Sequence, residues 1–159
     1  MVAQESNREL SDIIEDSVRS GMLAAATTTA AAAICGQLED HQAIGPINAI
    51  SHILWGDLAE RQTKLSLKHT LSGAVLNAAA VTSWAFLQEV VFGRRQRQAT
   101  IGEALVEGAA ISGLAYVTDY YLAPERLTPG FEKRLSNKSL AAIYGTLAMS
   151  LGVGALQRR

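Results

Sequence analysis

Four carboxylic acids stand in or beside long apolar stretches of this 159-residue chain: Glu89, Glu103, Glu107 and Asp119. An ionisable group in hydrocarbon is costly unless it is paired, hydrated or used, so these positions carry whatever chemistry the apolar segments have. Glu89 lies one helical turn before Gly93, and Glu107 lies one turn after Glu103. In an antiparallel helical hairpin the carboxylates of Glu89 and Glu107 reach similar depth at the same end. Such a pair suits a proton or cation, because neighbouring carboxylates resist double ionisation. The alternative, which we prefer, is ion pairing of both with Arg94, Arg95 or Arg97 at the boundary.

Glu103 has a structural use, since Thr100 three residues earlier completes a capping box. Asp119 belongs to the opposite end, on the row Ala104, Gly108, Ser112, Ala115, Asp119, whose helical spacing makes one face of small residues. A matching row runs through Ala141, Gly145, Ala148, Gly152 and Ala155. Small faces let helices approach closely, so Gly108, Ser112, Ala115 and Asp119 are expected to pack against Gly145 and Gly152. Asp119 would then be held by Tyr120, Tyr121, His69 or Lys68.

His41, His52 and His69, with Asp40, Asp57 and Asp119, are potential ligands for zinc or haem. No pair of them has metal-ligand spacing, and Cys35 is the single cysteine, so no metal or cofactor is expected. Asn77, Trp84 and Gln88 form a polar and aromatic stripe suited to hydrogen bonds between helices. The chain lacks a phosphate-binding Gly-Lys loop, a nucleophile elbow and a dinucleotide fingerprint. A non-enzymatic role is therefore expected.

The elements that must position these residues follow from where charge is missing. Residues 20–38, 70–88 and 139–157 contain no Asp, Glu, Lys or Arg, and residues 108–118 form a shorter gap inside a helical pattern from Ile101 to Leu122. About twenty residues at about 1.5 Å each cross a hydrocarbon layer. The expectation is an all-α chain, a single membrane domain over residues 1–159, with a four-helix bundle whose spans are approximately 20–38, 68–92, 101–122 and 139–157. A soluble bundle would need a charged stripe on each helix, and the second and fourth segments have none. Mean hydropathy is only +0.13, because the first segment is mostly Ala and Thr.

Ser6 and Glu9 make a further capping box, and Leu10, Ile13, Ile14 and Val18 share one helical face, which predicts an amphipathic surface helix ahead of the first span. Acidic residues at the start argue against a secretory signal, so this segment is expected to be retained. A short interfacial helix is expected from Pro46 to about Ala59 in the first loop, with Trp55 at the membrane boundary. The segment from Asn48 to Gly56 resembles those of small bacterial membrane proteins, which implies a bacterial inner membrane.

Fourteen Lys and Arg against fifteen Asp and Glu leave no basic face for nucleic acid. Basic residues divide evenly between the two sides, but the arginines of the shorter segments abut helix ends, which favours both termini inside. The expected partners are the lipid bilayer and either further copies of the chain or a larger membrane complex. The expected role is an accessory or scaffolding subunit, with an oligomeric proton or cation carrier using Glu89 and Glu107 as the alternative.

Overall fold

The computed structural model describes residues 10–93 and 99–158, and every regular element among them is helical. Four long helices organise the chain: α1 (Leu10–Asp40), α4 (Ser72–Phe92), α5 (Ile101–Val117) and α6 (Asn137–Leu156). Two short ones, α2 (Gly45–Ile50) and α3 (His52–Trp55), lie between α1 and α4. One wide π-type turn, Leu67–Leu71, leads into α4, and another, Thr118–Leu122, extends α5. Three helical runs are long and apolar enough to cross a membrane: Leu10–Asp40, Leu67–Phe92 and Asn137–Leu156. The regular part of α5 is 17 residues long, and it carries Glu103 and Glu107.

Packing places α1 between α4 and α6, and α6 between α1 and α5, while α4 meets α5 only sparsely. Small residues make the tight seams. A Cβ on Gly21 would sit 2.6 Å from Thr82 Oγ1, and one on Gly36 would sit 2.6 Å from Pro46 Cγ. Central contacts join Ala24 and Ala25 to Val81, Ala85, Ile111, Ala115, Leu147 and Leu151. A second core, around Ile50, Phe131, Leu135, Leu140 and Ile143, closes the end that carries the long loops.

The chain ahead of the first apolar stretch is continuous with it in α1, and its apolar row faces outward. Leu10, Ile14, Val18 and Met22 are exposed, whereas Asp16, Ser17, Ser20, Gly21 and Ala24 are buried. The Ser6 and Glu9 capping box lies outside the described residues. In contrast, the Thr100 and Glu103 box forms as the spacing predicts, with Glu103 Oε2 accepting from the Thr100 backbone N–H at 2.8 Å. Ser136 caps α6, and Glu39 at the end of α1 accepts from the Ser136 backbone N–H at 2.8 Å and from the Ser139 hydroxyl at 2.6 Å. The Ser136 hydroxyl, then that of Ser139, then the Ser136 amide hold the Glu39 carboxyl below its ordinary range.

The interfacial helix expected from Pro46 to Ala59 is instead divided into α2, α3 and a 3-10 turn at Asp57–Arg61. Gly56 takes φ 74°, which ends α3, and every residue of α2 is buried against the bundle rather than lying on its surface. Asn48 fixes this insertion by donating to the Gln62 and Lys64 carbonyls, each at 3.0 Å, and accepting from Thr70 Oγ1 at 2.7 Å. Gly130, at φ 82°, brings the opposite loop down onto Ala49 and His52, where a Cβ would sit 2.9 Å from the Ala49 carbonyl oxygen.

Gly73 of α4 faces the Ile47 carbonyl so closely that a methyl group there must push α2 outward. Gly73→Ala is expected to cost about 1–3 kcal/mol, in the range of an overpacked core. Gly113→Ala, on an open face of α5, should stabilise by up to about 1 kcal/mol through helix propensity. Thermal unfolding in detergent checks both; equal effects of the two changes would refute the close α2–α4 contact.

Candidate functional site

Glu89 and Glu107 meet at one end of the helices, as their helical positions predict, and Arg158 bridges them. Nε of Arg158 donates to both Glu89 oxygens at 3.1 and 3.0 Å. Its Nη1 and Nη2 donate to the two Glu107 oxygens at 3.2 and 2.5 Å. Gln88 completes the group, donating to the Leu151 carbonyl at 3.2 Å and to Glu107 at 3.5 Å. Gln88 and Glu89 are 1% exposed, Arg158 5% and Glu107 8%, so the ions lie inside protein. The guanidinium fork matches carboxylate geometry and spans α4, α5 and the chain leaving α6 in one contact. Burial by itself would ease a proton off Arg158, but the hydrogen bonds and charges of Glu107 and Glu89 outweigh it and hold the guanidinium above its ordinary pKa.

The expected partners Arg94, Arg95 and Arg97 lie outside the described residues. No local spacing in the sequence points to Arg158 in this role. Two helices separate Glu89 from Arg158, so the chain beyond α6 returns to the end where α4 stops and α5 begins. A second cation works beside it. Arg19 Nη2 donates to Asp16 and to the Gln157 carbonyl, both at 2.6 Å, tying α1 to the residue before Arg158.

The α5 seam forms, with one correction on its partner helix. Gly108 faces the Ala148 carbonyl, and its Cβ position is 3.0 Å from the Gly152 amide nitrogen. A Cβ on Gly152 would lie 3.1 Å from the Ala104 carbonyl oxygen. Ser112 Oγ donates to the Tyr144 carbonyl at 2.6 Å, and Ala115 is fully buried in the central core. Each step of four residues along α5 is thus answered by four residues in reverse along α6, through Gly152, Ala148 and Tyr144. Gly145 lies off this row, with nothing within 4 Å of its Cβ position, because the contact follows the inclined i, i+4 ridge rather than the helix axis. Ala141 is exposed as well.

Asp119 is also held differently from the expectation. The Tyr144 hydroxyl, from α6, donates to it at 2.5 Å, in place of Tyr120, Tyr121, His69 or Lys68. Tyr116, Tyr120 and Tyr144 surround this contact, with ring centres 5.0 to 5.9 Å apart. Asn77 bridges helices as its position predicts, donating to Thr28 and Thr29 hydroxyls at 3.1 Å. The histidines are dispersed: His52 Nδ1 meets the Ala49 carbonyl at 2.9 Å, and His69 Nδ1 meets Ser51 Oγ at 3.1 Å. Among the described residues no three of His, Cys, Asp and Glu converge on a point that could hold a metal.

Removing the guanidinium takes its charge and four hydrogen bonds away from two buried carboxylates, whereas removing one carboxylate leaves the guanidinium paired with the other. Arg158→Ala is expected to destabilise by about 3–5 kcal/mol, as for other broken buried ion pairs. Arg158→Ala combined with Glu107→Gln should recover part of that loss in a double-mutant cycle read by thermal unfolding. Gly108→Leu should prevent close packing of α5 on α6, while Gly145→Leu leaves the stability of the single chain nearly unchanged. Additive effects in the cycle, or equal losses at positions 108 and 145, would contradict these assignments.

No family model, curated protein or solved structure matches the chain.

Proposed function

We propose that this protein is a four-span integral membrane protein, with α5 as the additional span, and that it acts as an accessory or scaffolding subunit. It packs laterally against further copies of itself or a larger complex, in a bacterial inner membrane with both termini inside. The observation that carries this reading is an inverted distribution of polarity. Asp16, Asn77, Gln88, Glu89, Glu107 and Arg158 are buried, while large apolar side chains such as Met22, Val75, Leu105, Val106 and Met149 are more than half exposed. Lipid-facing helices require such an exterior, and small outward residues allow further helices to approach. Gly113 and Gly145 offer open backbone on outward faces.

Pairing of both inner carboxylates with one guanidinium favours anchoring over ion transport. Ions held in a bidentate fork act as a clamp, and loading a proton onto either would first have to dismantle it. The link from Arg19 to the Gln157 carbonyl, which brings the start of α1 and the end of α6 together, supports an even number of crossings.

Membranes washed with carbonate should retain the protein, and size measurement in mild detergent should give a species larger than one chain. Gly145→Leu is expected to shrink that species without lowering the stability of the chain. Release by carbonate would refute the membrane reading. Reconstituted proton or cation flux that disappears in Glu89→Gln or Glu107→Gln would replace the scaffold with the carrier.

A further inference from the structure

The sparse seam between α4 and α5 leaves a cavity of about 300 Å³ in the half of the bundle nearest the long loops. That volume lies at the lower end of pockets that hold small molecules. Its walls are mostly apolar, formed by residues such as Leu76, Ile143 and Leu147, and Phe131 lies at the loop end. Ala80 and Ser83, on the exposed edge of α4, also line it, so the cavity opens sideways toward the surroundings of the helices. Trp84 and Tyr144 add aromatic faces.

Asp119 is the one acidic residue in this lining. It accepts the Tyr144 hydroxyl, and among the described residues it makes no ion pair, in contrast to Glu89 and Glu107 with their shared guanidinium. Glu132 is the charged group that bears on it most, and its sign is the same. A carboxylate without a counter-ion among the described residues, set beside aromatic rings at one end of an apolar cavity, is complementary to an organic cation carrying a hydrocarbon tail. We propose that this cleft binds a small amphiphilic cation, with its ammonium group at Asp119 and its tail between α4 and α6. A two-chain phospholipid exceeds the volume, which leaves a free single-tailed amine or quaternary ammonium as the occupant. This assignment is independent of the scaffold reading, since it concerns the opposite end of the bundle from the Arg158 clamp.

The chain contains two tryptophans, and only Trp84 lines the cleft. In a Trp55→Phe background, the fluorescence of Trp84 in the purified full chain reports occupancy. Octyltrimethylammonium, octanol and octyl sulfate present the same tail with cationic, neutral and anionic heads. The cation should give a saturable change at a concentration about tenfold or more below that of octanol, and octyl sulfate should give none. Asp119→Asn should remove the preference for the cation, and Ala80→Phe should fill the cleft and abolish saturation. Tyr144→Phe, which releases Asp119 from its hydrogen bond, should retain it. Equal affinity for cation and octanol in the parent chain overturns the proposal even if Asp119→Asn fails to fold. So does a linear, unsaturated response to all three, or tighter binding of a short-chain phosphatidylethanolamine than of the single-tailed cation.

Discussion

Neighbouring helices in this chain approach until main-chain atoms of one touch those of the other, and the polar interior depends on that closeness. Gly108 meets the Ala148 carbonyl, Gly73 meets the Ile47 carbonyl, and Gly21 sits against the Thr82 backbone. At such separations short side chains span the gap between helices. Ser112 can reach the Tyr144 carbonyl, Asn77 can reach Thr28 and Thr29, and Thr27 can reach Ser150 at 2.7 Å. Larger residues along the seams would separate these groups and leave them unsatisfied in surroundings that supply no water. Many large apolar side chains, such as Met22, Val75 and Val106, lie on the outside.

The two ends of the bundle answer different electrostatic demands. At the end where α4 stops and α5 begins, Gln88, Glu89, Glu107 and Arg158 form a set in which one planar cation pairs with two acids on separate helices. At the other end the chain seals itself with loops. Asn48 binds loop carbonyls, Glu39 caps the start of α6, and Phe131 is buried beneath the turn at Gly130. Between these ends, the thin α4–α5 seam leaves a cavity of small-molecule size with an acid on its wall.

Much of the helical layout was legible because charge is excluded from apolar spans and returns abruptly at their ends. The segments expected at 68–92 and 139–157 appear as Leu67–Phe92 and Asn137–Leu156, and the local signals at Thr100 and Ser136 form caps. Tertiary choices were less legible. Helical periodicity put Gly145 in line with Gly152, but the direction in which one helix crosses another decides which row makes contact, and that direction depends on both surfaces. The Pro46 segment carried the composition of an interfacial helix, yet Gly73 and Gly36 open spaces that receive it. Arg158 and Tyr144 each lie far along the chain from the acid they hold, where local spacing holds no information.

That separation also sets an order of events in the life of the chain. Arg158 follows Glu107 by 51 residues and Glu89 by 69. At ribosomal rates of about 5–20 residues per second, several seconds pass after both acids emerge before their common counter-ion exists. The contact that joins α4, α5 and the chain after α6 therefore forms late. Synthesis of the chain therefore passes through a looser arrangement of these helices, and Arg158 is the latch that ties α4 and α5 to the chain after α6.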